Sequence, residues 1–87
     1  MDRLSAMDVF VRVAETGSFT AVADHLGLAR SMVTRQVSAL EAHLGVKLIA
    51  RSTRSLKLTA EGEVYLVRCR EILGLVGAPG GVLSGGD

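Results

Sequence analysis

The sequence predicts a mainly α-helical fold: three helices, a small β-hairpin and then a fourth helix. The first observation behind this is that apolar residues recur at three- and four-residue steps in four segments, which places them on one face of a helix. The second is that this period breaks over residues 47–58, where short alternating runs are typical of strands. The third is that glycines stand between the periodic segments, where helices commonly end.

The first two helices are delimited by their capping residues. Asp2 is predicted to cap the first helix, and Gly17 is predicted to end it. Ser18 can cap a second, short helix, which ends at the turn around Gly27. The residues expected to face inward from these two helices are Leu4, Met7, Phe10, Val11, Ala14, Phe19, Val22, Ala23 and Leu26.

The third helix, residues 30–44, has two contrasting faces. One carries an apolar stripe expected to pack on the core: Val33, Val37, Leu40 and Leu44. The other carries small and cationic residues: Arg30, Ser31, Thr34, Arg35 and Ser38. A helix that only packs on a core does not need so small and cationic an outer face. This face therefore indicates a contact outside the protein.

Residues 47–58 are predicted to form the hairpin, with strands at 47–51 and 55–58 around the turn-forming sequence RSTRS. Leu56 and Leu58 alternate with polar residues, so one face of the second strand is expected to pack inward.

Thr59 is predicted to cap the fourth helix, which occupies residues 59–76. No remaining element is expected to cover its apolar stripe, which consists of Leu66, Cys69, Leu73 and Val76. Residues 77–87 are rich in glycine and contain Pro79, so this tail is expected to be flexible. The predicted organisation is thus a core domain at 1–58, a helix at 59–76 and a tail at 77–87.

The net charge of +1 hides an uneven distribution along the chain. Residues 27–59 contain six arginine and lysine residues against the single acid Glu41, a balance of +5. The segments on either side, 1–26 and 60–87, each contain two basic and four acidic residues, a balance of −2. Basic charge gathered in one segment is typical of a surface that binds a polyanion, although a solvated charged face is the simpler alternative.

Two helices joined by a turn at Gly27, the second cationic on its outer side, form a helix-turn-helix, and a basic hairpin directly after it makes the motif winged. The major groove of B-DNA admits one α-helix, and arginine can bind guanine there through two hydrogen bonds. In the hairpin, Arg51, Arg54 and Lys57 have the reach to follow a phosphate backbone or enter a minor groove. These features together favour double-stranded DNA as the partner over an ordinary solvated face.

From residue 4 to about residue 75 the chain resembles the N-terminal DNA-binding domain of LysR-type transcriptional regulators. The resemblance is carried by FVRVAETGSFTAVADHLGLARSMVTRQVSALEAHLGVKLIARSTRSLKLTAEG, nearly without a gap. It implies a winged helix-turn-helix on a linker helix that pairs two protomers. It also implies base contacts by Arg30, Ser31, Thr34 and Arg35, a minor-groove contact by Arg54, and phosphate contacts by Ser18, Thr20, Gln36, Ser38 and Lys57.

The chain departs from that family's pattern at two positions and in length. Ala29 stands where many members have a serine or threonine cap, so about 1 kcal/mol of capping is expected to be missing. Arg30 stands where glutamine is common, which would move the base preference from adenine toward guanine. The family's C-terminal effector-sensing domain is absent from these 87 residues, so the chain is either a piece of a longer regulator or a naturally short one.

The stripe on the fourth helix is expected to face the same stripe of a second copy, in a two-fold contact through Leu66, Cys69, Leu73 and Val76. Such a homodimer would place two recognition helices about 34 Å apart and would require a partly palindromic operator. The alternative function is that of an interaction module that forms mixed dimers with full-length regulators.

Other site types find little support in the sequence. His25 and His43 lie 18 residues apart with no cysteine or carboxylate at ligand spacing, so neither a metal nor another cofactor is expected. No nucleophile and base, carboxylate pair or phosphate-binding loop can be assembled, so an enzyme is not expected. The absence of a signal peptide or an apolar span, together with the single Cys69, predicts a cytoplasmic protein.

Overall fold

The computed structural model describes residues 2–51 and 56–75. Its elements are α1 (Arg3–Thr16), α2 (Phe19–Leu26), α3 (Arg30–Leu44), β1 (Ile49–Arg51), β2 (Leu56–Leu58) and α4 (Ala60–Leu75). α3 packs against α1 and α2, while α4 packs against α1 and β2. The predicted winged helix-turn-helix followed by a further helix is confirmed. No helix within the described ranges is both long and apolar enough to cross a membrane.

The predicted N-terminal caps of the first two helices are confirmed. The Asp2 carboxylate accepts a hydrogen bond from the Ser5 backbone N–H at 3.3 Å, and the Ser18 hydroxyl accepts one from the Ala21 N–H at 3.0 Å. The Ser5 hydrogen bonds also hold the pKa of the exposed Asp2 carboxyl below its usual value. α3 begins without such a bond because Ala29 has no side-chain acceptor. At the start of α3 the Met32 N–H donates instead to the Ala29 backbone carbonyl, at 2.9 Å.

The turn between α2 and α3 depends on Gly27. Its φ of +71° lies in the left-handed region, which an L-residue with a side chain adopts only at a cost. Its N–H donates back to the carbonyls at the end of α2, and the next N–H, from Leu28, donates to the Ala23 carbonyl at 2.9 Å. The chain thus reverses within three residues, which brings α3 across α2.

The core is aliphatic, with Phe10 as its largest fully buried side chain. The prediction that Leu4 faces inward is wrong, because this residue is 44% exposed at the start of α1. The others on α1, α2 and α3 are buried or half-buried. Sequence periodicity missed part of the core, because α1 is covered on more than one side by α2, α3 and α4. The additional buried residues of α1 are Ala6, Val9 and Val13.

The hairpin is shorter than predicted but has the predicted sidedness. β1 begins at Ile49 rather than at residue 47, and it pairs antiparallel with β2 so that Ile49 lies opposite Leu58 and Ala50 opposite Lys57. Leu56 and Leu58 are half-buried against the core while Lys57 is exposed. The turn at residues 52–55 lies outside the described residues.

The apolar stripe of α4 is covered by the chain's own core, so the predicted dimer contact needs correction. Cys69 has no exposed surface, and Leu66 and Leu73 are half-buried against the core cluster. The covering element is α1: the rings of Phe10 and Tyr65 lie 5.9 Å apart, and a salt bridge joins Arg70 of α4 to Glu15 in the last turn of α1. The prediction that Cys69 faces a second copy is wrong, and Leu66 and Leu73 face the same way as Cys69. Val76 lies outside the described residues.

Candidate nucleic-acid interface

The predicted outer face of α3 points away from the core because the opposite face is anchored. Val33, Val37 and Leu40 are fully buried. Across the helix, the predicted base-contacting residues Arg30, Ser31 and Arg35 are exposed, as is Ser38. Thr34 is half-buried, and its hydroxyl donates to the Arg30 carbonyl at 3.1 Å. Four of these five polar side chains can therefore reach a partner without any rearrangement of the helix.

Arg30 and Arg35 differ in their environment from the arginines of α1 and α4. Each arginine of those two helices is engaged: Arg3 with His43 at 2.6 Å, Arg12 with Asp8 at 3.2 Å, Arg68 with Glu71 at 3.5 Å and Arg70 with Glu15 at 2.9 Å. Within residues 2–51 and 56–75, neither Arg30 nor Arg35 forms a salt bridge. Their guanidinium groups remain available to an external anion.

The polar residues predicted to contact phosphates have different environments. Thr20 is exposed in the first turn of α2, while Gln36 is half-buried on α3. Ser18 is half-buried, and its hydroxyl oxygen already accepts the capping hydrogen bond of α2. Its hydroxyl hydrogen can still be donated to a phosphate oxygen. The N-terminus of α2 therefore presents hydroxyl and backbone donors together.

In the hairpin, hereafter the wing, Lys57 projects from β2 on the side opposite Leu56 and Leu58. Arg51 is the last residue of β1 and pairs with Leu56 across the hairpin. Arg54 lies outside the described residues, so its minor-groove contact stays a prediction. The wing follows α3 in the chain, and its second strand packs against α4.

Sequence reasoning missed the role of Glu41, the single acid in the basic segment. Glu41 is only 7% exposed, and its Oε2 accepts hydrogen bonds from the backbone N–H groups of Leu48 at 2.8 Å and Ile49 at 3.1 Å. Lys47 Nζ lies 3.7 Å from Oε1. The sequence does show a single acid among basic residues. It does not show that the chain folds back after Gly45 and brings the Leu48 and Ile49 N–H groups to this carboxylate.

Two apolar residues near the predicted base-contacting set were also missed. Leu28, in the turn, is 38% exposed, and Met32, in the first turn of α3, is 43% exposed. Apolar side chains on a helix in the major groove can contact the methyl group of thymine. Neither residue is charged or carries a hydroxyl group, which is why the sequence pattern did not indicate a DNA contact for them.

The sequence profile described as "Bacterial regulatory helix-turn-helix protein, lysR family" matches residues 4–63. The chain belongs to this family. Among its relatives, an HTH-type transcriptional repressor of Pseudomonas aeruginosa is 46% identical over 86 residues, which are 99% of this chain and 27% of that protein. The transcriptional activator AaeR of Escherichia coli is 49% identical over 73 residues, 84% of this chain and 24% of AaeR. This LysR-family chain thus spans about a quarter of the length of these curated relatives.

Solved structures of the LysR family have the same fold. The DNA-binding domain of CbnR in complex with DNA is 43% identical, with a TM-score of 0.81 and 85% of each chain covered. The DNA-binding domain of BenM in complex with a benA site is 37% identical, with a TM-score of 0.80 and coverage of 84% of this chain and 82% of that one. The likeness therefore extends over most of the residues that the structure describes.

Proposed function

We propose that this chain binds double-stranded DNA with sequence preference, as the DNA-binding domain of a transcription regulator. α3 enters the major groove, and the wing lies against the backbone and the minor groove. The observation that carries the proposal is the pair Arg30 and Arg35, which are exposed on the second helix of a helix-turn-helix and form no salt bridge within the described residues. The DNA complexes of the CbnR and BenM domains support it. A bacterial protein with this function works in the cytoplasm, where the chromosome lies.

The contacts divide into those that specify sequence and those that position the protein. Base edges are read by Arg30, Ser31, Thr34 and Arg35, with Arg54 in the minor groove. A bidentate arginine–guanine pair discriminates by about 1–3 kcal/mol against the wrong base. Phosphates are bound by Ser18, Thr20, Gln36, Ser38, Arg51 and Lys57, and these contacts carry affinity without sequence information.

This division can be tested by titrating fluorescent duplexes with the wild-type chain and with Arg35→Ala and Lys57→Ala. Arg35→Ala is expected to reduce the preference for the best duplex over a mutated one, at a cost of about 1–3 kcal/mol. Lys57→Ala is expected to weaken all duplexes about equally and to reduce the salt dependence by about one phosphate contact. Arg12→Ala is the matched control, since Arg12 lies on α1 and is engaged by Asp8. A uniform loss from both interface variants would contradict the assignment of roles.

We further propose that two copies pair through the outer face of α4, rather than through the covered stripe. Val64 and Val67 are 64% and 53% exposed on that face, an arrangement unfavourable for a helix that stays in water. Beside them an apolar groove of about 420 Å³ is lined in part by Leu44, Val46 and Tyr65. A two-fold contact there would cover both features and would bind two half-sites of a partly palindromic operator, with the recognition helices about 34 Å apart.

Sedimentation equilibrium over a range of protein concentrations tests the pairing. Val67→Asp is expected to shift the equilibrium toward the monomer, because the new carboxylate would lose its hydration in the contact. Leu4→Asp is the matched control, an exposed apolar residue on α1 changed in the same way. Equal self-association of the wild type and both variants would contradict pairing through α4.

A further inference from the structure

Glu41 is a buried acid in a segment whose other charged residues are all basic. The segment 27–59 contains six basic residues and this one carboxylate. Negative charge near a DNA surface lowers affinity, so an acid at this place needs another reason. Its side chain does not face solvent: Glu41 is 7% exposed and points toward the first residues of the wing.

The Glu41 carboxylate holds the base of the wing from the side of the recognition helix. One oxygen, Oε2, accepts both the Leu48 and the Ile49 N–H groups, at 2.8 and 3.1 Å. Both backbone groups are buried, so without this acceptor they would lack a hydrogen-bond partner. Because one oxygen atom holds two adjacent N–H groups, it fixes the position of residues 48 and 49 relative to α3.

Thr59 holds the same segment from the opposite side, that of α4. Its N–H donates to the Leu48 carbonyl at 3.0 Å, and its hydroxyl donates to the Lys47 carbonyl at 2.6 Å. Residues 47–49 are therefore bonded to the end of α3 through Glu41 and to the start of α4 through Thr59. Because β1 begins at Ile49, the direction in which the wing leaves the core is set by these bonds.

We propose that Glu41 is a positioning residue for DNA binding, whose carboxylate fixes the wing relative to α3 so that both can contact one DNA duplex. The inference rests on the proposed function of the chain. The dimensions of the duplex fix the distance between a helix in the major groove and a wing on the phosphate backbone. A wing whose orientation relative to α3 varies would therefore lose phosphate contacts. The property that matters is the reach of the acceptor oxygen rather than the negative charge.

Two substitutions separate reach from charge. Glu41→Asp keeps the charge but shortens the side chain by one methylene, so the carboxylate no longer reaches both N–H groups. Glu41→Gln removes the charge but keeps an amide oxygen at the place of Oε2. Lys47, whose side chain is 81% exposed, can move away from the new amide group.

The experiment measures DNA affinity over a range of salt concentrations, together with amide exchange at Leu48 and Ile49. Glu41→Asp is expected to lower affinity about tenfold, to reduce the salt slope by about one to two phosphate contacts and to speed exchange of the two amides. Exchange at Val13, in the core of α1, is expected to stay slow, which separates loosening of the wing from general instability. Glu41→Gln is expected to bind within about threefold of the wild type and to keep both amides protected.

Two results would overturn the inference. One is a Glu41→Asp variant with wild-type affinity and salt slope, and the other is a Glu41→Gln variant as weak as Glu41→Asp. Failure of the wild-type chain to bind any duplex would instead overturn the proposed function. This outcome is distinguishable because the wild-type titration comes before any variant is made.

Discussion

Replacing Gly62 by alanine should destabilise this domain, although alanine is the better helix former. Gly62 lies in the first turn of α4 with its Cα against the Leu48 carbonyl. A Cβ at this position would overlap the Leu48 oxygen and lie 3.0 Å from the carbonyl carbon. That oxygen also accepts the Thr59 N–H, so α4 cannot move away without loss of this hydrogen bond.

The expected change in the free energy of unfolding combines one stabilising and two destabilising contributions. Alanine in a helix gains about 0.5–1 kcal/mol over glycine. Overpacking against backbone costs about 1–3 kcal/mol, and weakening the Thr59–Leu48 bond costs about 0.5–1.5 kcal/mol. The net result is a destabilisation of about 0.5–4 kcal/mol for Gly62→Ala.

Gly74→Ala is the matched control in the same helix. Nothing lies within 4 Å of a Cβ added at Gly74, so only the gain in helix propensity remains. Urea unfolding of both variants at one protein concentration, followed by circular dichroism, measures the difference. Equal stabilisation by the two substitutions would refute the close approach of α4 to the wing.

Three further predictions concern Ala29 and Cys69. Ala29→Ser is expected to raise the free energy of unfolding in urea by about 1 kcal/mol, because Ala29 is extended and lacks a capping acceptor; Ala29→Val, a control that also lacks an acceptor, should bring no such gain. Burial raises the pKa of the Cys69 thiol from 9.0 to about 11, so labelling by a disulfide reagent near neutral pH should require unfolding; labelling as fast as that of a free thiol would contradict burial. A raised pKa in the folded state stabilises the protein below pH 9, and this contribution is lost as the pH rises toward 11. The Cys69→Ala variant should therefore lose less stability than the wild type between about pH 8 and about pH 10.5, and identical losses would contradict the shift.

Local signals in the sequence were sufficient for most of the fold. Asp2 and Ser18 cap their helices through contacts within three residues, and Gly27 forms the turn through its own backbone conformation. The stripe of α3 repeats every three to four residues, so its buried face and hence its exposed arginines follow from the sequence alone. These features depend only on near neighbours, which is why they could be predicted.

Features set by distant parts of the chain could not be predicted in the same way. Periodicity shows that α4 has an apolar face but not that α1 covers it, so a stripe containing the fully buried Cys69 was assigned to a second copy. The partners of Glu41 likewise lie seven and eight residues away, beyond a turn. In both cases the missing information is which element packs where, and it resides in the tertiary structure.

Selection of bound duplexes from a random DNA pool, at low and at moderate salt, tests most directly whether this chain reads DNA sequence. Recovery of one motif with two-fold symmetry at both salt concentrations is the predicted result, and Arg35→Ala should degrade that motif. Retention of DNA at low salt only, without any motif, would contradict sequence-specific binding and would leave a basic surface held by phosphates alone.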